Sequence, residues 1–358
     1  MRAAVDTNAL YTTRAGVARY VRGLLSGLRT VAAGTSWELD EFAWPVENFG
    51  FQQPWRALRT FYRELFWAPC LAPRLLRRNR FDLLHATGVP LFTPPPSVAH
   101  VVTVHDIGFL RFPERFRGWH RRMAIEGLRR TRSAQRVICI SEFTARELIE
   151  LAGFPPEQLR VVHNGCTFAT TTPPASRPRL ALPDTFFLFV GSLEPGKNLS
   201  LLRSTYELAQ SRRIELPPLV IVGARFEGLA AEGTPPPHWH YLGHLPDPAL
   251  VWLYQHALAL AFPSKYEGFG LPIAEAMSLG CPVLCSPVSS LPEVAGDAAL
   301  LAPQEPEAYL DALQRLATQP ELRLDLSRRG RAQGALFTWE RCARETLAVY
   351  EEAAPCPS

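Results

Sequence analysis

Short apolar runs alternate with amphipathic stretches along almost the whole chain of 358 residues. In the first half the apolar runs are Ala3–Asp6, Leu83–Ala86, Ala99–Val104, Val137–Ile140 and Arg160–His163. Apolar residues at helical spacing lie between these runs, at 16–30, 116–133 and 143–152. A buried strand followed by a helix, repeated several times, favours a parallel sheet with helices on both faces.

The second half repeats this pattern after an interruption. Its predicted strands are Phe186–Gly191, Leu219–Gly223, Trp239–Leu242, Ala257–Phe262, Pro282–Cys285 and Ala299–Leu301. Its predicted helices lie near 198–211, 247–255, 272–280, 306–318, 321–333 and 338–353. The interruption, TTTPPASRPRLALP at 170–183, is rich in Thr and Pro and is typical of a linker. We therefore predict two doubly wound α/β domains at 1–169 and 184–336, followed by a C-terminal helix at 337–358.

Composition and short motifs exclude several classes of protein. Hydrophobic residues make up 47% of the chain and charged residues 20%, which is typical of globular domains rather than disordered, collagen-like or disulfide-rich chains. No apolar run is typical of a membrane helix or signal peptide, and the seven Cys are scattered, so we expect a cytoplasmic protein with free thiols. His240 and His244 lack acidic neighbours, so we expect no metal site. The motifs of dinucleotide-binding dehydrogenases, P-loop NTPases and nucleophile-elbow hydrolases do not occur.

Positive charge is concentrated in the first half of the chain. Residues 1–168 hold 23 Arg and 14 acidic residues, a balance of +9, whereas residues 169–358 hold 15 basic and 20 acidic residues, a balance of −5. The excess lies mainly in RLLRRNR at 74–80 and RGWHRRMAIEGLRRTRSAQR at 117–136. Apolar residues lie between these arginines at helical spacing. The resulting basic amphipathic surface suits anionic phospholipid headgroups or a phosphate-bearing substrate. Nucleic acid is a competing partner, and a solvated helix face is the simplest alternative.

The strongest chemical signal lies between Phe262 and Cys281, FPSKYEGFGLPIAEAMSLGC. A strand ends near Phe262, two glycines permit an unusual turn, and Pro272 opens a helix. Backbone amides in such a turn, together with the helix N-terminus, suit a diphosphate. Glu267 precedes the turn and Glu275 is expected in the first helical turn, so one acid stands on each side of the phosphates to accept hydrogen bonds from sugar hydroxyls. A glycine loop with a helix-capping Glu is the alternative.

As a string, this stretch closely resembles the signature of glycosyltransferase family 4, in which two Glu separated by seven residues surround Gly-Phe-Gly. Other strings that agree with the family in order and spacing are Thr12–Tyr20, Val104–Phe116, Val137–Glu147, Val161–Gly165, Phe189–Leu199 and Leu291–Ala302. The resemblance implies the GT-B fold class: two facing Rossmann-like, doubly wound parallel-sheet domains with a deep cleft, the first binding the acceptor and the second the nucleotide sugar. It also implies that the last helix crosses back to the first domain, and that no metal or other cofactor is needed.

The resemblance also implies residue roles in hexosyl transfer with retention of anomeric configuration. Glu267 holds sugar hydroxyls and stabilises the cationic ring, His105 hydrogen-bonds the transferred sugar, and Asp106 orients His105 or meets the acceptor. The donor-binding residues are Gly16, Gly191, Ser192, Lys197, Gly223, Leu245, Ser264, Lys265, Gly268, Phe269, Gly270, Leu271 and Glu275. Among them, Lys197 stabilises the leaving diphosphate and Glu275 binds the ribose.

The chain departs from the family pattern at two positions, since many members have Arg where Ser192 stands and some where Gly196 stands. The chain has only two Lys, Lys197 and Lys265, and both fall in the segments assigned to the donor phosphates. We hypothesise that Lys265 partly replaces the missing positive charge, the alternative being a side chain that simply points to solvent. The missing Arg also leave open a catalytically silent sugar-nucleotide-binding homologue, whereas a nucleotide-sugar 2-epimerase would lack this glutamate spacing.

The substrates expected from the resemblance are those of mannosyl- and rhamnosyltransferases. The expected co-substrate is GDP-mannose, and the expected acceptor is a glycan or polyprenyl-linked glycan of cell-surface polysaccharide assembly. We expect no nucleic-acid partner, and a peripheral contact with anionic lipid on the inner face of the plasma membrane. The aromatic-rich stretch at 51–67 is predicted to be a core or interface helix, with an acceptor groove as the alternative.

Overall fold

A computed structural model describes residues 1–12, 16–44, 62–116, 118–170, 177, 182–223, 236 and 239–354. The chain divides into two compact units, of which unit 1 comprises Met1–Gly165 with Trp339–Ser358 and unit 2 comprises Cys166–Thr338. Most of the predicted linker, at 171–176 and 178–181, lies outside the described residues, as do residues 51–61 of the aromatic-rich stretch. Within the described residues, no helix is long and apolar enough to cross a membrane.

Unit 1 is built on a parallel sheet of six strands in the order β2-β1-β3-β4-β5-β6. The strands are β1 (Arg2–Asp6), β2 (Glu38–Phe42), β3 (Leu83–Ala86), β4 (Ala99–Val104), β5 (Arg136–Cys139) and β6 (Leu159–Val161). Every residue of β3 and β4 is buried, as expected where helices cover both faces of a sheet.

Helices connect most of the strands of unit 1. The helices are α1 (Ala9–Thr12), α2 (Gly16–Val31), α3 (Ala72–Arg78), α4 (Gly108–Arg111), α5 (Gly118–Thr131) and α6 (Glu142–Ala152), with a π-helix at Arg63–Leu71 and the C-terminal helix at Trp339–Ala353. At the start of α6 the Ser141 side chain accepts a hydrogen bond from the Thr144 N–H, and at its end Gly153 has a φ of 62°.

The C-terminal helix packs along α2 because glycines make room for its first residue. A Cβ at Gly23 would lie 1.9 Å from the Trp339 ring, and a Cβ at Gly165 would lie 2.5 Å from the same ring. A Cβ at Gly27 would lie 2.3 Å from the Trp339 carbonyl oxygen. The last helix of the chain therefore completes the core of unit 1.

Unit 2 is also built on a parallel sheet of six strands, in the order β12-β11-β10-β7-β8-β9. The strands are β7 (Phe187–Val190), β8 (Leu219–Val222), β9 (Trp239–Gly243), β10 (Leu260–Phe262), β11 (Val283–Cys285) and β12 (Leu300–Leu301). The helices are α7 (Thr167–Thr170), α8 (Leu199–Ser211), α9 (Asp247–His256), α10 (Leu271–Ser278), α11 (Leu291–Ala295), α12 (Pro306–Thr318) and α13 (Pro320–Gly334).

Each strand predicted from the apolar runs is present, with its ends shifted by at most three residues. The strand that the apolar pattern does not predict is β2. Its sequence, ELDEF, is mostly polar, because β2 lies at the edge of the sheet beside β1 and only Phe42 at its end is buried. An edge strand needs no continuous apolar run, so the pattern typical of a buried strand does not apply to it.

Candidate functional site

The sheet of unit 2 has a topological switch point between β7 and β10. The chain runs from β7 outward to β8 and β9, and then returns to the other side of β7 to form β10, β11 and β12. Ligands of open α/β sheets bind at such a point, beyond the carboxyl ends of the strands. Of the predicted donor-site residues, Gly191, Ser192 and Lys197 follow β7, and those at 264–271 follow β10.

Lys197 and Glu267 form the central polar contact between these two loops. The Lys197 Nζ lies 2.6 Å from the Glu267 Oε1, and only 18% and 12% of the two side chains are exposed. The backbone N–H of Lys265 donates to the carbonyl of Gly196 at 2.8 Å, which ties the loop after β10 to the loop after β7. The fold therefore brings together two predicted site residues that are 70 positions apart in the sequence.

The glycine turn between β10 and α10 is held by two serines that the sequence motifs did not indicate. The Ser289 Oγ accepts a hydrogen bond from the Glu267 N–H at 3.0 Å. The Ser290 Oγ donates to the carbonyl oxygens of Glu267 and Phe269, each at 2.9 Å. Gly270 immediately precedes α10 with a φ of 101°, a left-handed conformation that favours glycine. The shape of the turn, including the position of Glu267, is fixed by these contacts.

Glu275 lies deeper in α10 than expected. The predicted position in the first turn is wrong, because α10 begins at Leu271 and Glu275 is its fifth residue. The side chain is 4% exposed, and its Oε2 accepts a hydrogen bond from the Tyr254 hydroxyl at 3.1 Å. A glutamate in the second turn does not cap the helix, so the helix-capping alternative is also wrong.

Gly223 allows the ends of β7 and β8 to approach each other closely. A Cβ on Gly223 would lie 1.8 Å from the Gly191 carbonyl oxygen, and Gly223 has a φ of 151°.

Ser264 is fully buried, and its Oγ has no hydrogen-bond partner within the described residues. Ser192 and Leu245 are half-buried, in the loops after β7 and β9 respectively.

Unit 1 has its own switch point between β1 and β3, and His105 follows the next strand, β4. The His105 Nε2 lies 2.8 Å from the carbonyl oxygen of Thr87, the residue after β3. The Thr87 Oγ1 in turn donates to the carbonyl oxygen of Asp6, at the end of β1, at 2.7 Å. His105 is therefore held by residues at the carboxyl ends of neighbouring strands, where ligand-binding residues of such sheets lie.

The hydrogen bond to Thr87 determines which nitrogen of His105 carries the proton. A carbonyl oxygen only accepts, so Nε2 carries the proton and donates. Burial lowers the pKa of His105, an effect that the Thr87 hydrogen bond and the nearby Asp106 charge oppose. The neutral imidazole therefore presents Nδ1 as a hydrogen-bond acceptor.

Asp106 does not hold the His105 ring. The Asp106 Oδ1 accepts a hydrogen bond from the Gly108 N–H at 2.9 Å and so closes the turn that leads into α4. The ring of His105 instead contacts Tyr20 edge-on, with the ring centroids 4.8 Å apart and an interplanar angle of 82°. His105 thus lies beside Tyr20, the last residue of the matched string Thr12–Tyr20, and beside Thr87, which no motif indicated. Gly16 is the exposed first residue of α2, and residues 13–15 of its predicted loop lie outside the described residues.

Most of the basic surface predicted at 117–136 lies on α5, whereas Arg136 belongs to β5 and Arg117 is outside the described residues. Trp119 is 58% exposed, and Arg121 and Arg122 beside it are exposed as well. A hollow of about 630 Å³ is lined by residues of this helix, among them Trp119, Arg122 and Met123. In the described part of the chain, no group of three or more His, Cys, Asp or Glu is placed to hold a metal ion.

Comparison with known proteins gives matches over both units. The family model described as Glycosyltransferase Family 4 matches residues 15–168, and the one described as Glycosyl transferases group 1 matches residues 175–333. O-antigen chain mannosyltransferase B of Escherichia coli is 34% identical over 283 residues, which span 74% of this chain and 73% of that protein. Serotype-specific mannosyltransferase WbdA of Escherichia coli is 29% identical over 293 residues, which span 76% of this chain and 36% of that protein.

Solved structures match the fold over almost its whole length. The sucrose-phosphate synthase of Thermosynechococcus elongatus covers 98% of this chain, and is itself covered to 98%, with a TM-score of 0.74 and 21% sequence identity. Together with the two parallel six-stranded sheets, this likeness confirms the predicted GT-B fold class.

Proposed function

The chain belongs to glycosyltransferase family 4, and on that premise we propose a reaction: retaining transfer of a hexosyl group from a nucleoside diphosphate sugar to a glycan or polyprenyl-linked glycan. As a glycosyltransferase with an O-antigen chain mannosyltransferase and a serotype-specific mannosyltransferase among its relatives, the protein acts in polysaccharide biosynthesis. The names of these relatives support mannose as the transferred sugar and GDP-mannose as the donor.

The observation that carries this proposal is the Lys197–Glu267 pair at the switch point of unit 2. When the bond between sugar and diphosphate breaks, negative charge develops on the leaving diphosphate and positive charge on the sugar ring. A fixed cation and a fixed carboxylate at one site suit these two charges, and such preorganised groups need little rearrangement during the reaction. We assign Lys197 to the diphosphate and Glu267 to the sugar.

The remaining groups of unit 2 fit the other parts of such a donor. The backbone amides of the glycine turn and the start of α10 suit the diphosphate, in line with the assignment of Gly268, Phe269, Gly270 and Leu271. We assign Glu275 to the ribose hydroxyls, with the Tyr254 hydroxyl fixing the orientation of the carboxylate.

Charge balance supports a role for Lys265. Lys197 and Glu267 together carry no net charge, whereas a nucleoside diphosphate is an anion, so a further cation beside the backbone amides strengthens its attraction. Lys265 is exposed, and its backbone is hydrogen-bonded to Gly196, the neighbour of Lys197. We expect Lys265→Ala to raise the KM for the donor about tenfold, as for the loss of one charge-assisted hydrogen bond, with Arg328→Ala on the exposed surface of unit 2 as the control. An unchanged KM for Lys265→Ala contradicts this role.

In unit 1, we assign His105 to a hydroxyl group of the transferred sugar. Its neutral ring keeps Nε2–H on the Thr87 carbonyl, so Nδ1 accepts a hydrogen bond from that hydroxyl. Asp106 is exposed and keeps one carboxylate oxygen on the Gly108 N–H, which favours a contact with the acceptor over a contact with His105.

The exposed face of α5 suits a peripheral contact with anionic lipid at the inner face of the plasma membrane. Trp119 offers an amphipathic ring and Arg121 and Arg122 offer charge, a combination typical of helices that lie in the headgroup region. Sedimentation with phosphatidylglycerol vesicles tests this contact. We expect the double variant Arg121→Glu/Arg122→Glu to bind the vesicles at least about tenfold more weakly. The control Arg344→Glu, on the exposed side of the C-terminal helix, is expected to have little effect. Equal binding by the wild type and both variants contradicts the membrane contact.

Thermal unfolding with GDP, UDP, ADP and TDP, each with and without EDTA, tests the proposed function. Ligand at 100 times its Kd adds about 2.7 kcal/mol to the free energy of unfolding. We expect GDP to raise the Tm selectively and independently of EDTA, and Lys197→Met to lose that shift while Arg328→Met keeps it. A Tm that no diphosphate changes contradicts the proposed donor site.

A further inference from the structure

A chain of hydrogen-bonded polar side chains runs through the core of unit 1, from the C-terminal helix to α2. The Tyr350 hydroxyl lies 2.7 Å from the His85 Nδ1. The His85 Nε2 lies 2.8 Å from the Thr103 Oγ1, which lies 2.9 Å from the Tyr20 hydroxyl. All four side chains are at most 1% exposed. The chain of bonds therefore links a helix at the end of the sequence to a residue near its beginning, without contact with water.

A neutral His85 ring fits both of its hydroxyl partners in this chain of hydrogen bonds. Burial lowers the pKa of His85 to about 3, so its ring is neutral at physiological pH. A neutral imidazole donates from one nitrogen and accepts at the other, which matches one hydroxyl on each side. A buried polar network whose members are all satisfied rigidifies the surrounding structure.

This network ends at the residue that packs against His105. The Tyr20 ring stands edge-on to the His105 ring, with centroids 4.8 Å apart, while its hydroxyl is held by Thr103. A single hydrogen bond to the Thr87 carbonyl leaves the imidazole free to swing away from that carbonyl and so to populate both tautomers. A fixed Tyr20 ring against one side removes that freedom.

We propose that Tyr20 is a positioning residue for His105 and that Tyr350, through the buried network, holds Tyr20 in place. The C-terminal helix thereby takes part in shaping the sugar site of unit 1. This inference rests on the sugar contact assigned to His105 in the proposed function. Its geometric part, a fixed tautomer and orientation of His105, is measurable without donor or acceptor.

The tautomer of His105 is read from nitrogen NMR of protein labelled at its histidine rings. In the wild type we expect the His105 signal of an imidazole protonated at Nε2, identified by its loss in His105→Gln. Tyr20→Leu and Tyr350→Phe are expected to shift that signal toward the average of both tautomers. Tyr20→Phe keeps the ring but removes its hydrogen bond to Thr103, so we expect it to shift the signal less than Tyr20→Leu and at least as much as Tyr350→Phe.

A matched control is available in unit 2. Tyr309 is fully buried and its hydroxyl lies 2.7 Å from the Ser286 Oγ, so Tyr309→Phe removes a comparable bond from a different unit. We expect this variant to leave the His105 signal unchanged. A wild-type His105 signal in both Tyr20→Leu and Tyr350→Phe overturns the proposal, because the network would then only stabilise the core.

A double-mutant cycle on turnover of the donor connects this geometry to the reaction. Misplacement of a catalytic group by about 1 Å costs up to about a hundredfold in rate, so we expect Tyr20→Leu to lower kcat by up to that factor. In a His105→Ala background, Tyr20→Leu is expected to have no further effect on kcat, and additive effects overturn the proposal. If His105→Ala leaves kcat unchanged while the tautomer still responds to Tyr350→Phe, the positioning stands and the sugar contact assigned to His105 is wrong.

Discussion

Replacing Lys197 with Met separates the stability that the Lys197–Glu267 pair provides from its part in donor binding. The substitution leaves the Glu267 carboxylate without its cation at a site where only 12% of that side chain is exposed. Removing one partner of a buried ion pair costs about 3–5 kcal/mol of unfolding free energy. Because 18% and 12% of the two side chains reach solvent, we expect the lower end of that range, about 3 kcal/mol, for Lys197→Met and for Glu267→Gln.

The double variant Lys197→Met/Glu267→Gln distinguishes the two contributions. It has no unpaired charge, so its unfolding free energy in urea is expected to return close to the wild-type value, since uncharged replacements of buried pairs are often neutral. Its affinity for GDP is nevertheless expected to fall about ten- to hundredfold, because the diphosphate loses a charge-assisted hydrogen bond. The matched control is Arg328→Met, which breaks an exposed pair with Asp325 in the same unit and is expected to change neither quantity appreciably.

Two results would refute this reasoning. If the stability losses of the single variants simply add in the double variant, Lys197 and Glu267 are not coupled. If the double variant binds GDP as tightly as the wild type, Lys197 does not contact the donor diphosphate.

Two further predictions concern the backbone and pH. Gly223→Ala places a Cβ 1.8 Å from a carbonyl oxygen, whereas a Cβ at Gly243, where φ is 68°, meets nothing within 4 Å. We expect Gly243→Ala to lower the unfolding free energy by about 1 kcal/mol, and Gly223→Ala to lower it by several times more. Equal Tm values for the two variants would contradict the close approach of the two loops. Burial lowers the pKa of His85 to about 3 and of His100 to about 4, so the stability they provide is fully present above pH 6.5 and is lost as the pH falls, by about 2 kcal/mol each at pH 5. Burial raises the pKa of Asp6 to about 6, so protonation of Asp6 restores about 1 kcal/mol of unfolding free energy over the same range. Urea unfolding of unit 1 between pH 5 and pH 8 measures the net loss of unfolding free energy. An unfolding free energy that does not change with pH would contradict the prediction.

The fold was largely predictable because its strands are buried on both faces. Strands such as β4 consist entirely of buried residues and therefore appear in the sequence as continuous apolar runs. β2 could not be predicted in this way, because an edge strand with exposed glutamates at 38 and 41 has no such run. Identification of the GT-B architecture depended on matched strings rather than on the apolar pattern alone.

Sequence motifs indicated residues for the candidate site but not the contacts between them. Glu267 and Lys197 were indicated by motifs, yet nothing in the sequence places them 2.6 Å apart, since pairing across 70 residues depends on the order of the strands. Ser289 and Ser290 carry no motif, because serine is common in loops and these two act only through the backbone of the glycine turn. The helical position of Glu275 was predicted wrongly because the turn is one residue shorter than expected. The helix therefore begins at Leu271, and Glu275 is its fifth residue.

Transfer from a hexosyl donor tests most directly whether unit 2 holds that donor between the loops after β7 and β10. Purified protein is incubated with GDP-mannose and an alkyl α-mannoside, and the linkage of the product is determined by NMR. We expect an α-linked product, formed with retention by the wild type and by Arg328→Met, and a rate reduced at least a hundredfold in Glu267→Gln, as for the loss of a charge-stabilising group. Equal rates for the wild type and Glu267→Gln, or a β-linked product, would contradict it.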